Sequence, residues 1–244
     1  QKTAYEIMPS LVGSEMCIRD SDCTDPYQPI ERETRLTRNC LKVLARRSFP
    51  ILVVTKSNLV IRDYDILKQT RSVVSITVTT LQDHVAKLIE PNAPPPRERI
   101  DALEKAVSEG LPTTVRVDPI IPFLNSDEKE FEEMASTFAA IGVKQVTVST
   151  LKPIRGFFGK LQEIDPELSR KLIAKYKDGQ YMLGYRYLSQ NVRFRIVKSF
   201  MEAARRHGLE FASCREGFKE YNTAICDGTS YCRKPIIQMT LSKS

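Results

Sequence analysis

The chain has 244 residues, 41% of them apolar, which is enough for a sizeable core in one large domain or two small ones. Its 37 lysines and arginines against 30 acidic residues give a net charge of +7, which favours anionic partners such as nucleic acid. No run approaches the roughly 18 apolar residues that cross a membrane, and six irregularly spaced cysteines exclude a secreted disulfide scaffold, so free thiols in a reducing cytoplasm are expected.

The first 21 residues differ from the rest of the chain. They begin without methionine and lack the basic start and apolar middle of a signal peptide. Their ending, Met16–Ser21, is typical of a translated sequencing adaptor. We therefore expect residues 1–21 to be an artefactual or disordered leader, and we place the start of the fold at residue 22.

Short apolar runs rich in β-branched residues predict strands of a parallel sheet that is covered on both faces. The predicted strands are Phe49–Thr55, Val73–Val78, Thr113–Val117 and Gln145–Ser149.

Helical patterns fill the intervals between these strands. The predicted helices are Leu36–Arg47, with Leu36, Cys40, Val43 and Leu44 facing inward, then Thr79–Glu90, Arg97–Glu109 and a helix that Asn125–Asp127 caps and that runs to Ala140. Strand–helix–strand repeats with short connections imply right-handed parallel crossovers. The fold class is therefore α/β, a (β/α) barrel or part of one, which we place at residues 22–160.

The pattern changes after Lys152. A helix is predicted at Ile164–Lys177, a stretch at Tyr176–Tyr187 mixes tyrosines with basic residues, and Asn191–His207 is a strongly amphipathic helix. From Glu210 onward the chain reads as loop-rich. Residues 161–244 are therefore predicted to form a C-terminal helical extension that contains cysteines.

Polar side chains are predicted at the carboxyl ends of the strands, where parallel α/β folds bind their ligands. They are Thr24, Asp25, Thr55, Lys56, Ser57, Ser75, Thr77, Thr79, Thr80, Arg116, Asp118, Ser149, Thr150 and Lys152. Hydroxyls, acids and cations in this number suit a zwitterionic nucleoside. The alternative is an ordinary polar rim, which any α/β barrel has.

Several stretches, taken in order, resemble radical S-adenosylmethionine (SAM) enzymes of the spore photoproduct lyase-like group. They are Thr24–Glu31, Ile51–Ser57 followed by Arg62 and Asp63, Val74–Thr77, Leu88–Pro94, and Pro119–Pro122 with Asn125. The resemblance covers roughly residues 22–218. It implies a partial radical SAM barrel in which the first strand and most of the second are missing.

The resemblance also implies a cofactor and its contacts. Thr24, Asp25, Lys56 and Ser75 match SAM contacts of the family, and Thr77 and Arg116 are weaker candidates from their position. It further implies a [4Fe–4S] cluster, an electron donor such as ferredoxin or flavodoxin, and a lyase-like or DNA-repair-like reaction.

The cluster motif of the family is missing from this sequence. The family holds its cluster with a C-x3-C-x2-C triplet, whereas Cys17 and Cys23 have five residues between them and no triplet occurs. The resemblance therefore predicts a fragment that is inactive by itself.

Three cysteines near the end of the chain form a second candidate site. Cys214, Cys226 and Cys232 have the spacing C-x11-C-x5-C, which matches no standard zinc or ferredoxin run. They are candidate ligands of an auxiliary metal or cluster. The alternatives are plain loop thiols, or Cys214 acting as a hydrogen-atom donor.

Two other functions are compatible with the sequence. Tyrosines and basic side chains at residues 175–206 could stack on unpaired bases and contact phosphates, as in a nucleic-acid-binding module. A metal-independent α/β barrel acting on a phosphorylated substrate is the other, although no glycine-rich phosphate loop follows any predicted strand.

Overall fold

The structure is a computed structural model in which residues 25–182 and 184–232 are described. The predicted leader at residues 1–21 and the candidate Thr24 lie outside the described residues. The strands are β1 (Ile51–Thr55), β2 (Ser72–Thr77), β3 (Thr113–Ile120), β4 (Gln145–Thr150), β5 (Tyr181–Met182), β6 (Tyr185–Arg186) and β7 (Glu210–Ser213). The α-helices are α1 (Glu31–Thr34), α2 (Leu36–Arg46), α3 (Tyr64–Leu67), α4 (Asp83–Ile89), α5 (Pro96–Ser108), α6 (Glu128–Ile141), α7 (Phe157–Ile164), α8 (Pro166–Tyr176) and α9 (Gln190–Arg206). Short 3-10 helices lie at Asn58–Asp63, Lys219–Tyr221 and Thr229–Tyr231.

The core of the molecule is a five-stranded parallel sheet in the order β1-β2-β3-β4-β7. β1 and β7 are the edges, so among the described strands the sheet stays open rather than closing into a barrel. The α/β class and the four predicted strands are confirmed. Strand-to-strand connections through α5 and α6 supply the crossovers that the repeats predicted.

The fifth strand corrects the prediction that the chain is loop-rich from Glu210 onward. Glu210–Ser213 pairs with β4 from Gln145 to Val148. Four residues with one strongly apolar side chain give little local strand signal. The open edge of β4 supplies hydrogen-bonding partners that the local sequence does not reveal.

Side chains of the five strands divide between two faces because successive residues point to opposite sides of a sheet. One face carries apolar side chains such as Val53, Ile76, Val115 and Val148, which are fully buried in the main hydrophobic core. Helices α5, α6 and α9 cover this face with residues that include Leu103, Phe131 and Phe200.

The opposite face is polar in its central strands, and we call it the inner face. Its polar side chains include Ser75 and Thr77 of β2, Thr114 and Arg116 of β3, and Gln145 and Thr147 of β4, while β1 places Val54 beside Ser75 on the same face. Ser75, Thr114 and Gln145 are aligned across the sheet, and Thr77, Arg116 and Thr147 form the next row toward the carboxyl end.

The last described segment of the chain, 222–232, crosses the inner face. Gln145 donates from Nε2 to the carbonyl of Ile225 (2.9 Å), and Thr147 donates from Oγ1 to the carbonyl of Cys226 (3.0 Å). The Cys232 thiol contacts the carbonyl of Ile51 at 3.7 Å. The segment therefore reaches from β4 back to β1.

Helix α2 has a different buried face from the one predicted. Thr37, Leu41 and Leu44 are buried, whereas Leu36 and Val43 are exposed. Thr37 donates from its backbone N–H to the Glu31 carboxylate (3.0 Å) and from Oγ1 to the Pro26 carbonyl. These bonds fix the rotation of the helix, because they hold Thr37 rather than Leu36 inward.

The helix predicted at Ile164–Lys177 is confirmed as α8, which begins two residues later than predicted. Ile164 ends α7, and Asp165 begins α8 by accepting a hydrogen bond from the backbone N–H of Leu168 at 2.9 Å. Pro166 takes the first helical position, where its missing N–H costs nothing. The predicted helix at Asn191–His207 is confirmed as α9 within one residue.

Candidate functional site

Asp25 holds the loop that follows β1. Its carboxylate accepts hydrogen bonds from the Thr55 hydroxyl (2.7 Å) and from the backbone N–H groups of Lys56 and Tyr27 (both 2.8 Å). These bonds join the segment before α1 to the carboxyl end of β1. The predicted candidates Asp25 and Lys56 are thus brought together.

Lys56 is bound in turn to Glu90, a residue that the sequence did not single out as a site residue. The Lys56 ammonium lies 2.9 Å from Glu90 Oε1, and the Arg99 guanidinium lies 2.7 Å from Glu90 Oε2. Thr79 also donates from its hydroxyl to Glu90 (3.1 Å). Burial raises the pKa of Glu90, but Lys56 and Arg99 lower it by more, so the carboxyl is more acidic than usual.

A cleft of about 670 Å³ opens beside this ion network. Its walls come from the chain before α1, the loop after β1, α5, and the proline-rich loop between α4 and α5. The lining residues include Asp25, Arg32, Lys56, Asn58, Glu90, Asn92 and Glu98. The Lys56 side chain is 37% exposed, so its charge remains accessible from the cleft although it is paired.

The carboxyl half of the inner face brings together three further predicted residues. Thr77 pairs in register with Arg116, and Ser75 lies one row below on the same strand as Thr77. The Arg116 guanidinium lies 3.1 Å from the Asp118 carboxylate. Burial lowers the pKa of Arg116, but Asp118 and Cys214 raise it by more, so the guanidinium stays charged.

A second buried carboxylate, Glu216, lies at the ends of β4 and β7. It accepts hydrogen bonds from the Lys152 ammonium (2.7 Å) and from the backbone N–H of Thr150 (2.8 Å). Arg193 lies 3.6 Å from its other oxygen and donates to its backbone carbonyl. Lys152 and Arg193 also lie against the Tyr187 ring, 5.1 and 5.2 Å from its centroid.

The residues that bind Glu90 and Glu216 belong to no recognisable sequence motif. A proline-rich loop beginning at Glu90-Pro91 and a turn ending at Gly217 mark both carboxylates in the sequence, but neither signal identifies their partners. Arg99 and Arg193 both lie within predicted helices, and neither was predicted to be a site residue. Both arginines are buried.

The three cysteines near the end of the described chain do not form a metal site. Within residues 25–182 and 184–232 no group of three or more histidine, cysteine or acidic side chains could hold a metal ion. Cys214 instead lies beside Arg116, and Cys232 packs against β1. With no cysteine triplet in the sequence either, the residues present do not fit a [4Fe–4S] cluster.

The tyrosine-rich stretch is only partly available to a partner. Tyr176 and Tyr187 are buried, whereas Tyr181 is 76% exposed. Tyr181 and Tyr185 lie on the antiparallel pair β5–β6. Arg215 lies over the Tyr185 ring, 5.7 Å from its centroid.

Sequence comparison finds relatives that match part of the chain. A protein of Methanocaldococcus jannaschii is 39% identical over 123 residues, which are 49% of this chain and 47% of that protein. A protein of the Acidianus two-tailed virus is 34% identical over 164 residues, 62% of this chain and 54% of its own length. The chain thus spans about half the length of the curated relatives it matches. No protein-family model matches it.

Solved structures with a similar fold are radical SAM enzymes. Spore photoproduct lyase matches 75% of this chain and 56% of its own length with a TM-score of 0.59 at 13% identity. A variant of that enzyme with bound SAM and dinucleoside spore photoproduct gives the same TM-score. A domain of a pyruvate-formate lyase-activating enzyme from Bacteroides vulgatus matches 79% of this chain and 96% of its own length with a TM-score of 0.53.

These likenesses concern architecture, since the sequence identities are 12–15%. Among the described residues no helix is long and apolar enough to cross a membrane. The chain has the α/β fold of a partial radical SAM barrel, with an open parallel sheet of five strands.

Proposed function

We propose that this chain is the SAM-binding part of a radical SAM enzyme. The cofactor would lie against the carboxyl half of the inner face and the adjoining ends of β1 and β2. The observation that carries the proposal is the row formed by Thr77 and Arg116, in register on neighbouring strands of a radical SAM fold. Ligands of parallel α/β folds bind at this end of the sheet.

The charges near this row suit the parts of SAM. The Lys56 ammonium and the Arg116 guanidinium can each form an ion pair with the methionyl carboxylate of SAM. Asp118 and the remaining acceptor capacity of Asp25 suit the methionyl ammonium or a ribose hydroxyl. The hydroxyl of Thr77 can orient the ribose by hydrogen bonding.

Two of the proposed contacts, Ser75 and Thr24, differ from the others. Ser75 lies in the row that the segment 222–232 crosses, so it would touch only the deepest part of a ligand. Thr24, proposed together with Asp25, lies outside the described residues. The proposed set therefore remains Thr24, Asp25, Lys56, Ser75, Thr77 and Arg116.

Bound SAM supplies a 5′-deoxyadenosyl group for hydrogen abstraction in radical enzymes. The described residues of this chain bind and orient the cofactor, and they do not fit the cluster that would reduce it. The activity of a complete enzyme, whether lyase-like or DNA-repair-like, and its electron donor such as ferredoxin or flavodoxin are part of the same proposal.

Isothermal titration calorimetry with S-adenosylhomocysteine tests the cofactor proposal directly. This analogue keeps the adenosyl and amino-acid groups and needs no reduced cluster. We expect saturable binding by the 244-residue chain, and weaker binding after Arg116→Gln. Absence of binding up to about 1 mM, near the weak limit of specific recognition, would contradict the proposal.

A second candidate function, nucleic-acid binding, is favoured by the exposed Tyr181 ring beside Arg186 on the β5–β6 pair. Exposed aromatic rings stack on unpaired bases, and nearby cations contact phosphates. Filter binding of single-stranded DNA across a salt series tests it. Tyr181→Ala should weaken binding, and the affinity of the unmodified chain should fall steeply with salt.

A further inference from the structure

The inner face has two halves with different neighbours. In the carboxyl half, Arg116 is paired with side chains near the end of its own strand and of β7, Asp118 and Cys214. Gln145 in the amino half and Thr147 in the row of Thr77 and Arg116 donate to the backbone carbonyls of Ile225 and Cys226. On the β4 side of the inner face, these two polar side chains are therefore committed to the chain itself.

The contact between the segment and the sheet is closest at Gly228. This residue has φ of 81°, and a Cβ built on it would lie 3.1 Å from both Cγ2 and Oγ1 of Thr114. A side chain at this position is opposed by backbone conformation and by contact at once. Glycine thus lets the backbone pass directly over the middle of the sheet.

The contacts of the Cys232 thiol agree with this packing of the segment against the sheet. Cys232 reaches the carbonyl of Ile51 in β1, so the segment crosses the inner face from β4 to the edge strand. Burial, with a contribution from Asp227, raises the pKa of Cys232 to about 11 although Arg71 opposes it. A thiol in this state is mostly protonated at neutral pH and reacts slowly.

We infer that the segment Asn222–Cys232 is the floor of the ligand site, which closes the amino end of the inner face over β3 and β4, so that a ligand contacts Thr77 and Arg116 and reaches Ser75 only at its deepest point. Part of this inference rests on the proposed cofactor. The existence of the floor itself does not.

A matched pair of threonines tests the depth of the ligand site. Thr77 and Thr114 both lie on the inner face, one above the floor and one beneath it. Thr77→Val removes a hydroxyl that can meet the ligand, so S-adenosylhomocysteine should bind about tenfold more weakly. Thr114→Val should leave the affinity unchanged.

The possible outcomes distinguish a failure of the floor inference from a failure of the cofactor proposal. If both substitutions weaken binding equally, the ligand reaches Thr114 beneath the segment and the floor inference is wrong. If the unmodified chain binds but neither substitution matters, the ligand lies elsewhere and the inner-face site is wrong. If the chain does not bind at all, the cofactor proposal fails while the floor is still tested by thiol labelling.

Thiol labelling tests the floor without any ligand. Gly228→Ala should displace the segment and raise the rate of iodoacetamide labelling at Cys226 and Cys232, followed by peptide mass spectrometry, by about tenfold. Gly208→Ala is the matched control, because Gly208 also has positive φ, 70°, but none of the described residues lies within 4 Å of an added Cβ.

Adding Thr114→Ala to Gly228→Ala should return the labelling rate most of the way to that of the unmodified chain. The second substitution removes both atoms that the new Cβ meets, and leaves Thr114 Cβ at 3.7 Å. Equal labelling in the Gly228 and Gly208 variants, or no rescue by the double substitution, would overturn the floor. Melting curves of all variants verify that the rest of the chain stays folded.

Discussion

Two buried carboxylates, Glu90 and Glu216, lie at opposite sides of the same sheet end, and each is held between two cations. They differ in access to water. Lys56 of the Glu90 network borders a cleft of about 670 Å³, whereas Lys152 and Arg193 of the Glu216 network are both at least nine-tenths buried. Similar ion networks therefore occur in two settings here, one beside an open cleft and one sealed from water.

The sealed network has a clear structural task. Glu216 joins the turn after β7 to the end of β4 and to α9. Removing one partner from a buried ion cluster leaves charges that no other group compensates. The open network carries a smaller penalty because water can reach its lysine.

The largest expected effect comes from Glu216→Gln. We expect the free energy of unfolding to fall by about 3–5 kcal/mol, because the charges of Lys152 and Arg193 stay buried without a counterion. Urea denaturation measures it, with the exposed Glu220→Gln as control. A loss as small as that of the control would contradict the structural role of Glu216.

Glu90→Gln should cost less, about 1–3 kcal/mol. Arg99 keeps hydrogen bonds to the carbonyls of Thr77 and Pro94, and Lys56 can turn toward water. The same urea series, with the exposed Glu104→Gln as control, measures the difference. A cost equal to that of the Glu216 variant would remove the distinction between the two networks.

Acid should weaken the open network in a predictable direction. The pKa of Glu90 is lowered in the folded chain from its ordinary value of 4.5, so its contribution to stability is present above pH 4.5 and is lost as the pH falls through the folded value. Urea midpoints measured between pH 6 and pH 3 should therefore fall less in Glu90→Gln than in the unmodified chain. A parallel decline in both would contradict this.

The smallest effect on stability is expected for Lys56→Met, below about 1 kcal/mol, because Lys56 is partly exposed and Glu90 keeps Arg99. Binding of S-adenosylhomocysteine should nevertheless weaken about tenfold through loss of a charged partner. Lys152→Met is the control from the sealed network, and it should lower stability more. Unchanged binding in the Lys56 variant would exclude this lysine from the site.

The sequence predicted the parts of the fold that depend on local pattern. Runs such as Ile51–Thr55 and Gln145–Thr150 are strands because they are short, apolar and followed by helices. β7 was missed because its pairing with β4 comes from tertiary contact. The buried face of α2 was wrong because hydrogen bonds of Thr37 set its rotation.

The sequence predicted where the candidate site residues lie in the fold, but not which side chains they pair with. The rule that ligands bind at strand ends located Asp25, Lys56, Thr77 and Arg116. It could not reveal that Glu90 neutralises Lys56, since the two residues are 34 positions apart and meet only through folding. It also gave no sign that a segment from the far end of the chain crosses the inner face.

Hydrogen–deuterium exchange with and without S-adenosylhomocysteine locates the ligand on the chain. A cofactor site on the inner face should slow exchange on ligand addition in peptides that contain Lys56, Thr77 and Arg116, with a smaller change in the segment 222–232. Protection confined to the β5–β6 pair, or no protection anywhere at saturating ligand, would contradict a cofactor site on the inner face.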